Sequence, residues 1–208
     1  MHFNRMPALI ALALIVSACS SGGGGGSSGG GGGNGATPAT VTGVFVDSTV
    51  AGIQYFTQTK SGVTNSAGEY DYLPGETVTF KIGDIVVGSA PAGPVVTPLT
   101  LVSGATDETD PIVTNIVRLL LTLDDDGNPD NGISIPTSTL TAAAGLSVDF
   151  TIDPVNLGSD TGVSTLLTAV SAPPLVDSAT AQTHFAQTLA STWGSMTWGT
   201  GTWMAKTP

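Results

Sequence analysis

The sequence predicts an α+β protein in which an antiparallel β-sandwich precedes a small helical segment and a C-terminal Trp-rich hairpin. Short runs of alternating apolar and polar residues, separated by turn residues, fill residues 41–88, as expected of antiparallel strands. From residue 109 onward, apolar residues recur with the period of an α-helix. Near the end, three tryptophans follow one another at intervals of five residues: Trp193, Trp198 and Trp203.

The chain divides into five predicted segments. They are a signal peptide (1–18), a Gly/Ser tether (19–36), a β-sandwich domain (37–103), a helical segment with an acidic loop (104–192) and a Trp-rich tail (193–208). Sixteen Asp and Glu residues against five Lys and Arg residues give a formal net charge of −11. A chain this acidic is not expected to bind nucleic acid or anionic lipid, and its charge favours cations as partners.

The N-terminus has the parts of a secretory signal. Arg5 supplies a positive charge, Ala8–Val16 is an unbroken apolar run, and small residues follow it. Nine helical residues span only about 14 Å, far less than the roughly 30 Å hydrocarbon core of a bilayer. We therefore expect an export signal rather than a transmembrane helix.

The residues Val16-Ser-Ala-Cys19 resemble the lipobox of bacterial lipoproteins. The resemblance implies cleavage before Cys19 and attachment of several acyl chains, palmitate among them, to this residue, which would anchor the chain stably. Ser20 at the next position implies the outer membrane of a Gram-negative host. Cys19 is the single cysteine, so no intrachain disulfide is expected. The alternative is a secreted protein with an unmodified cysteine.

The segment Ser20–Ala36, SSGGGGGSSGGGGGNGA, is typical of a flexible tether. Seventeen such residues have a root-mean-square span of about 20–25 Å. The tether is expected to hold a domain clear of the membrane and to let it reorient.

Five strand-like runs follow, with turns predicted at 65–68, 73–76 and 83–84. The runs are Val41–Asp47, Gly52–Thr57, Glu69–Tyr72, Thr77–Ile82 and Ile85–Gly88. In the first run Phe45 and Asp47 fall on one face, and in the fourth the apolar residues share a face opposite Lys81. These features predict antiparallel pairing.

The residues of this region also carry a family resemblance. They are Gly43-Val-Phe-Val-Asp47, Val50-Ala-Gly-Ile53, Thr64-Asn-Ser-Ala-Gly-Glu-Tyr70 and Leu73-Pro-Gly75. Together they resemble a transthyretin-like β-sandwich of the carboxypeptidase-regulatory-like or pilin B type, over roughly residues 41–88. Members of that family are mostly non-catalytic spacers or binding modules, so the resemblance implies a binding role rather than catalysis.

Thr109-Asp110-Pro111 predicts a helix start, with a capping side chain and proline at the first helical position. An apolar stripe at helical spacing then indicates a core helix on the sheet: Ile112, Ile116, Leu119, Leu120 and Leu123. Arg118 is expected to be a solvated or paired base.

Two further helices are expected, one over residues 137–144 and ended by Gly145, the other over residues 177–192. In the second helix Phe185 and Leu189 are expected to face inward. We interpret His184 as a partly exposed helix residue rather than a ligand or base.

Residues 123–133, LDDDGNPDNGI, form the most distinctive local feature of the chain. Five side chains are candidate Ca²⁺ ligands, because hard cations need several oxygens converging on one point: Asp124, Asp126, Asn128, Asp130 and Asn131. A bound cation would also relieve the conflict between consecutive aspartates and the negative end of the helix dipole. The alternative is a solvated loop rich in Asp and Asn that only ends the helix.

The tryptophan tail permits more than one interpretation. If residues 199–202 form a hairpin loop, Trp198 and Trp203 become a cross-strand pair. The rings would then either pack on the core or lie exposed and stack on a glycan. A shortened final module is a third alternative.

The combined features favour a lipid-anchored, non-catalytic cell-envelope protein that presents a binding or adhesion module. Its expected partners are the outer membrane, through the lipid, and a glycan or an envelope or surface protein. A structural or accessory lipoprotein facing the periplasm is the alternative. A hydrolase acting on envelope polymers is weaker, because the sequence offers one histidine after the signal, no zinc-ligand cluster and no phosphate loop.

Overall fold

A computed structural model describes residues 38–193. The predicted signal peptide, Cys19, the tether and the hairpin of Trp198 and Trp203 lie outside these residues. Within them the structure is mixed α+β with antiparallel sheets, as the sequence predicts.

Nine short strands fall within the described residues. They are β1 (Val41–Phe45), β2 (Val50–Ala51), β3 (Gln54–Phe56), β4 (Ser61–Val63), β5 (Glu69–Tyr72), β6 (Thr77–Ile82), β7 (Ile85–Pro91), β8 (Val95–Val96) and β9 (Ile133–Ser134). One antiparallel sheet has the order β4-β3-β6-β7, and a three-stranded sheet has the order β5-β1-β8. In the second sheet β1 is antiparallel to β5 and parallel to β8, and β2 pairs with β9 in parallel.

The β6–β7 hairpin follows the sequence pattern directly. Alternation along β6 buries Val78, Phe80 and Ile82 completely. Gly83, at φ +59°, makes the turn with Asp84, so that Ile82 pairs with Ile85. The predicted turn and facing are therefore confirmed, although β7 runs three residues further than expected.

Aromatic rings connect the two larger sheets. Phe45 of β1 stacks on Phe80 of β6, with ring centroids 4.2 Å apart. Tyr70 of β5 meets the same ring edge-on at 5.4 Å. Tyr70 and Tyr72, two residues apart on β5, are both buried.

Four α-helices lie in the described part of the chain: α1 (Pro111–Thr122), α2 (Thr137–Ala142), α3 (Thr161–Ala169) and α4 (Ser178–Trp193). Short 3-10 turns occupy Pro129–Asn131 and Pro154–Ser159. The predicted start of α1 is confirmed. Asp110 lies directly before Pro111, the first helical residue, and its side chain accepts hydrogen bonds from the Ile112 and Val113 amides.

Helix α1 is buried on all sides over residues 113–122, whereas the sequence pattern predicted a single buried stripe. Its residues 113–122 are all buried, and both α4 and the 3-10 turn at 154–159 pack against the helix. Arg118 is therefore not solvated and is only 8% exposed. Its guanidinium donates to the carbonyl oxygens of Pro154 and, at 2.6 Å, Val176.

Strands and helices share one hydrophobic core. It joins Phe80 and Ile82 of the β region to Ile116 of α1 and Phe185 of α4. None of the helices in residues 38–193 is long and apolar enough to cross a membrane.

Candidate functional site

The acidic loop, residues 124–132, connects α1 to β9 and is fixed at its base. The Asp124 Oδ1 atom accepts from the Ser134 amide at 2.9 Å, and the Asp125 amide donates to the Ser134 carbonyl at 3.0 Å. These two bonds draw Asp124 against β9 and leave it only 7% exposed. Asp125 and Asp126 are exposed.

The Asp126 carboxylate is held by its own loop. Its Oδ1 accepts from the Asn128 amide at 2.9 Å, and its Oδ2 accepts from the Asn131 side-chain amide at 2.8 Å. The Asn131 bond, followed by the Asn128 bond, lowers the pKa of Asp126. Asn131 therefore presents a nitrogen to this carboxylate and orients it.

Two carboxyl groups lie two residues apart in the loop, those of Asp124 and Asp126. The Asp124 Oδ2 atom is buried and has no hydrogen-bond partner among the described residues. Burial raises the pKa of Asp124, and the negative charge of Asp126 adds to that rise.

The structure sorts the five predicted ligands. It joins Asp126 to the backbone of Asn128, holds Asp126 with the Asn131 side chain, and places Asp124 buried at the base of the loop. Asp130 is exposed, and its charge acts on His184 of α4. Across the described part of the chain, no three His, Cys, Asp or Glu residues converge as a metal-binding group. A cation at the loop would therefore need amide oxygens and water besides the two carboxyls.

A polar cavity of about 370 Å³ adjoins the base of the loop. Asp124 and Asp125 line it, together with Leu123 and Val170, the residues that end α1 and α3. Helix C-termini carry partial negative charge, so both helices add to the negative potential of the aspartates. The cavity suits a cation better than an anion.

A second cluster surrounds the turn of residues 46–49, between β1 and β2. Asp47 in this turn is completely buried, and its Oδ1 lies 3.3 Å from Nε2 of His184 on α4. Neither oxygen of Asp47 has a hydrogen bond of good geometry within the described residues. The contact with Asp47 raises the pKa of His184, and burial raises the pKa of Asp47.

The cluster contains a serine, but its geometry does not match a nucleophilic triad. Ser48 Oγ lies 3.5 Å from His184 Nε2, the same nitrogen that faces Asp47. In a triad the acid holds Nδ1, where it orients the ring and stabilises the imidazolium that forms when Nε2 takes the serine proton. Here both partners compete for one nitrogen. The arrangement can fasten the turn to α4, and the Ser48 amide adds a 3.3 Å bond to Thr188.

Sequence reasoning missed this pair. His184 is partly exposed, as predicted, with 14% of its side chain accessible, but it also contacts a buried carboxyl. The sequence did contain a signal for this pair. Asp47 shares a face of the predicted first strand with Phe45, and a carboxyl on an inward face needs a cationic or hydrogen-bonding partner.

The two clusters are neighbours. The Thr49 carbonyl accepts from the Ile133 amide at 2.8 Å, and Gly132 approaches Thr49 so closely that a Cβ would lie 2.7 Å from its hydroxyl. The turn of residues 46–49 therefore contacts both α4 and the acidic loop.

Comparisons with protein-family models, with curated proteins and with solved structures found no significant match for this chain.

Proposed function

We propose that this protein is a lipid-anchored, non-catalytic outer-membrane protein that presents a binding or adhesion module on a flexible tether. The observation that carries the proposal is the sequence Val16-Ser-Ala-Cys19 followed by Ser20–Ala36. A lipid on Cys19 anchors the chain, and the Gly/Ser segment separates the folded body from the bilayer.

We infer further that the two larger sheets form a transthyretin-like β-sandwich. The stacking of Phe45 on Phe80 supports it, as does a Tyr55–Tyr70 contact with ring centroids 5.8 Å apart. Each contact joins one ring from the three-stranded sheet to one from the four-stranded sheet. Interdigitating side chains between facing sheets are what build a sandwich core.

The outer face of the four-stranded sheet is the binding surface of this proposal. Phe56, Val63 and Val86 on three of its strands are 40%, 51% and 50% exposed. The Lys81 ammonium lies 5.8 Å from the Phe56 ring centroid. A face that combines exposed apolar groups with an amphipathic cation fits a glycan or a protein partner.

The geometry at His184 favours the non-catalytic assignment. Because Ser48 Oγ and Asp47 Oδ1 face the same ring nitrogen, the acid does not hold Nδ1 while Nε2 takes the serine proton, as it does in a catalytic triad. A hydrolase acting on envelope polymers is the competing proposal. Turnover of such a polymer by the purified chain, abolished in Ser48→Ala, would replace the binding role with catalysis.

The anchor is tested by fractionation. We expect Cys19→Ser to move the protein from the membrane fraction to the soluble fraction, because the substitution removes the atom that carries the lipid. Ser21→Ala, two residues further along, is the matched control and is expected to stay in the membrane. Retention of Cys19→Ser in the membrane fraction would refute the lipid anchor.

Protease shaving of intact cells, with a periplasmic marker as the leakage control, determines which way the anchored body faces. Cleavage of the body on whole cells would support the adhesion proposal. Protection until the envelope is opened would overturn it in favour of a periplasm-facing structural or accessory lipoprotein.

A further inference from the structure

We propose that the acidic loop binds a divalent cation, Ca²⁺, between the carboxyl groups of Asp124 and Asp126, with the Asn128 side-chain oxygen and water completing the shell. The site is built from the described residues alone and does not depend on the lipid anchor. Its setting outside the cytoplasm, where Ca²⁺ is available, rests on the proposed function.

The observation that points to a ligand is the buried, unpartnered oxygen of Asp124. The residue is 93% buried, on the basis of its 7% exposure, and its Oδ2 receives no hydrogen bond within residues 38–193. Its Oδ1 is already engaged by the Ser134 amide, which fixes the orientation of the group. A buried carboxylate oxygen without a donor is costly unless a cation or a proton satisfies it.

A second carboxyl of the same loop acts on this one. The negative charge of Asp126 opposes that of Asp124, and the Asn128 and Asn131 amides hold the Asp126 group in place. Two like charges held in one loop by separate hydrogen bonds repel, and a divalent cation between them replaces repulsion with attraction to both.

The surroundings add negative potential and an approach route. The ends of α1 and α3 border the polar cavity that Asp124 and Asp125 line. Arg118, the base nearest in sequence, is committed to the carbonyl oxygens of Pro154 and Val176 and is not an ion-pair partner of this loop. The cavity therefore gives a cation a route from solvent to the base of the loop.

The donor set predicts weak binding. Two carboxyls and one amide leave several of the six to eight Ca²⁺ positions to water. A dissociation constant of about 0.1–1 mM, as in extracellular calcium modules, is expected. Mg²⁺ demands a tighter octahedral shell and is expected to bind more weakly to this loop.

The test measures thermal unfolding of the full chain in detergent after removal of metal with EDTA. The chain is compared in about 10 mM CaCl₂, in the same concentration of MgCl₂ and in NaCl of equal ionic strength. A dissociation constant about ten-fold below this concentration is expected to raise the Tm by roughly 3–6 °C in CaCl₂ and not in the other two salts. Isothermal titration with CaCl₂ provides a direct second readout.

Asp124→Asn is the decisive variant because it keeps the fold and removes the charge. Its Oδ1 can still accept from the Ser134 amide, and an amide nitrogen replaces the buried, unpartnered carboxylate oxygen. We expect its Tm without metal to equal or exceed that of the parent chain and its response to Ca²⁺ to disappear. Asp71→Asn, an exposed carboxyl on β5, is the control and is expected to retain the full response.

Three results would overturn the proposal. They are the absence of a Ca²⁺ response in the parent chain, an equal response in Asp124→Asn, and an equal response to MgCl₂. Because Cys19→Ser fractionation reports the anchor independently, failure of the cation site and failure of the proposed function are distinguishable.

Discussion

At the scale of single residues, Asp47 and His184 form a contact between a buried turn and a distant helix. The carboxyl is completely buried, and its described polar neighbour is the imidazole 3.3 Å away on α4. Removing one member of such a pair leaves an uncompensated polar group and costs about 3–5 kcal/mol, whereas replacing both by neutral groups of similar shape costs much less. The pair therefore fastens the turn of residues 46–49 to α4.

This contact predicts a pH-dependent stability. Asp47 raises the pKa of His184 above its ordinary 6.5, so the folded state binds a proton more tightly than the unfolded chain. The stabilisation is complete below about pH 6.5 and is lost as the pH rises through the folded-state pKa. Burial raises the pKa of Asp47 above 3.8, and this shift likewise makes the folded state less stable as the pH rises. We expect the Tm to fall between pH 6 and pH 9.

The matched variants separate this pair from other titrating groups. Asp130 also faces His184 and supports its protonation, so it belongs to the same transition. In the Asp47→Asn/His184→Gln double variant, the Tm is expected not to fall between pH 6 and pH 9. The single variant His184→Gln is expected to be less stable than this double variant. A fall of equal size in the double variant would assign the pH dependence elsewhere.

At the scale of elements, the sequence predicted the longer strands and α1 well. Alternation over six residues determined β6, and the Asp110 cap with the following proline determined where α1 begins. The two-residue strands β2, β8 and β9 are too short to show a period. Helix α3 was missed because only Gly162, Val163 and Leu166 are buried along it, which is too few to form a recognisable stripe.

A glycine pair tests the contact between β2 and the segment after β9. Gly52 has φ +80°, and a Cβ there would lie 2.1 Å from the Ile135 carbonyl oxygen, while Gly75 has φ +92° and open space around it. We expect Gly75→Ala to cost about 1–2 kcal/mol, the left-handed conformational penalty alone. Gly52→Ala is expected to cost clearly more, as measured by urea unfolding. Equal costs would mean that the Ile135 carbonyl can move away from residue 52 at little cost in free energy.

At the scale of the whole molecule, strands and helices depend on one another. Ile82 of β6 and Ile116 of α1 are buried in the same hydrophobic core. Arg118 on α1 holds carbonyl oxygens of two later segments. Residues from predicted separate segments therefore stabilise a common interior.

The shared core predicts a single unfolding transition. Ile82→Val and Ile116→Val each delete one buried methyl group and are expected to cost about 0.5–1.5 kcal/mol. Both should shift the same calorimetric peak, because loss of either side opens the core. Val155→Ala, at an 81% exposed position, is the control with little effect. Two separable transitions, each moved by only one variant, would contradict this prediction.

The sequence by itself determined the α+β class, the β6–β7 hairpin, the start of α1 and the position of the acidic loop. Each of these depends on side-chain periodicity, capping or turn chemistry within a few neighbouring residues. Only the tertiary structure decided that Arg118 is buried, that Asn131 holds Asp126, and that His184 meets the turn at Ser48 across 136 residues of chain. Contacts of this kind depend on how distant elements dock, and no local pattern encodes which polar groups the docking will bury together.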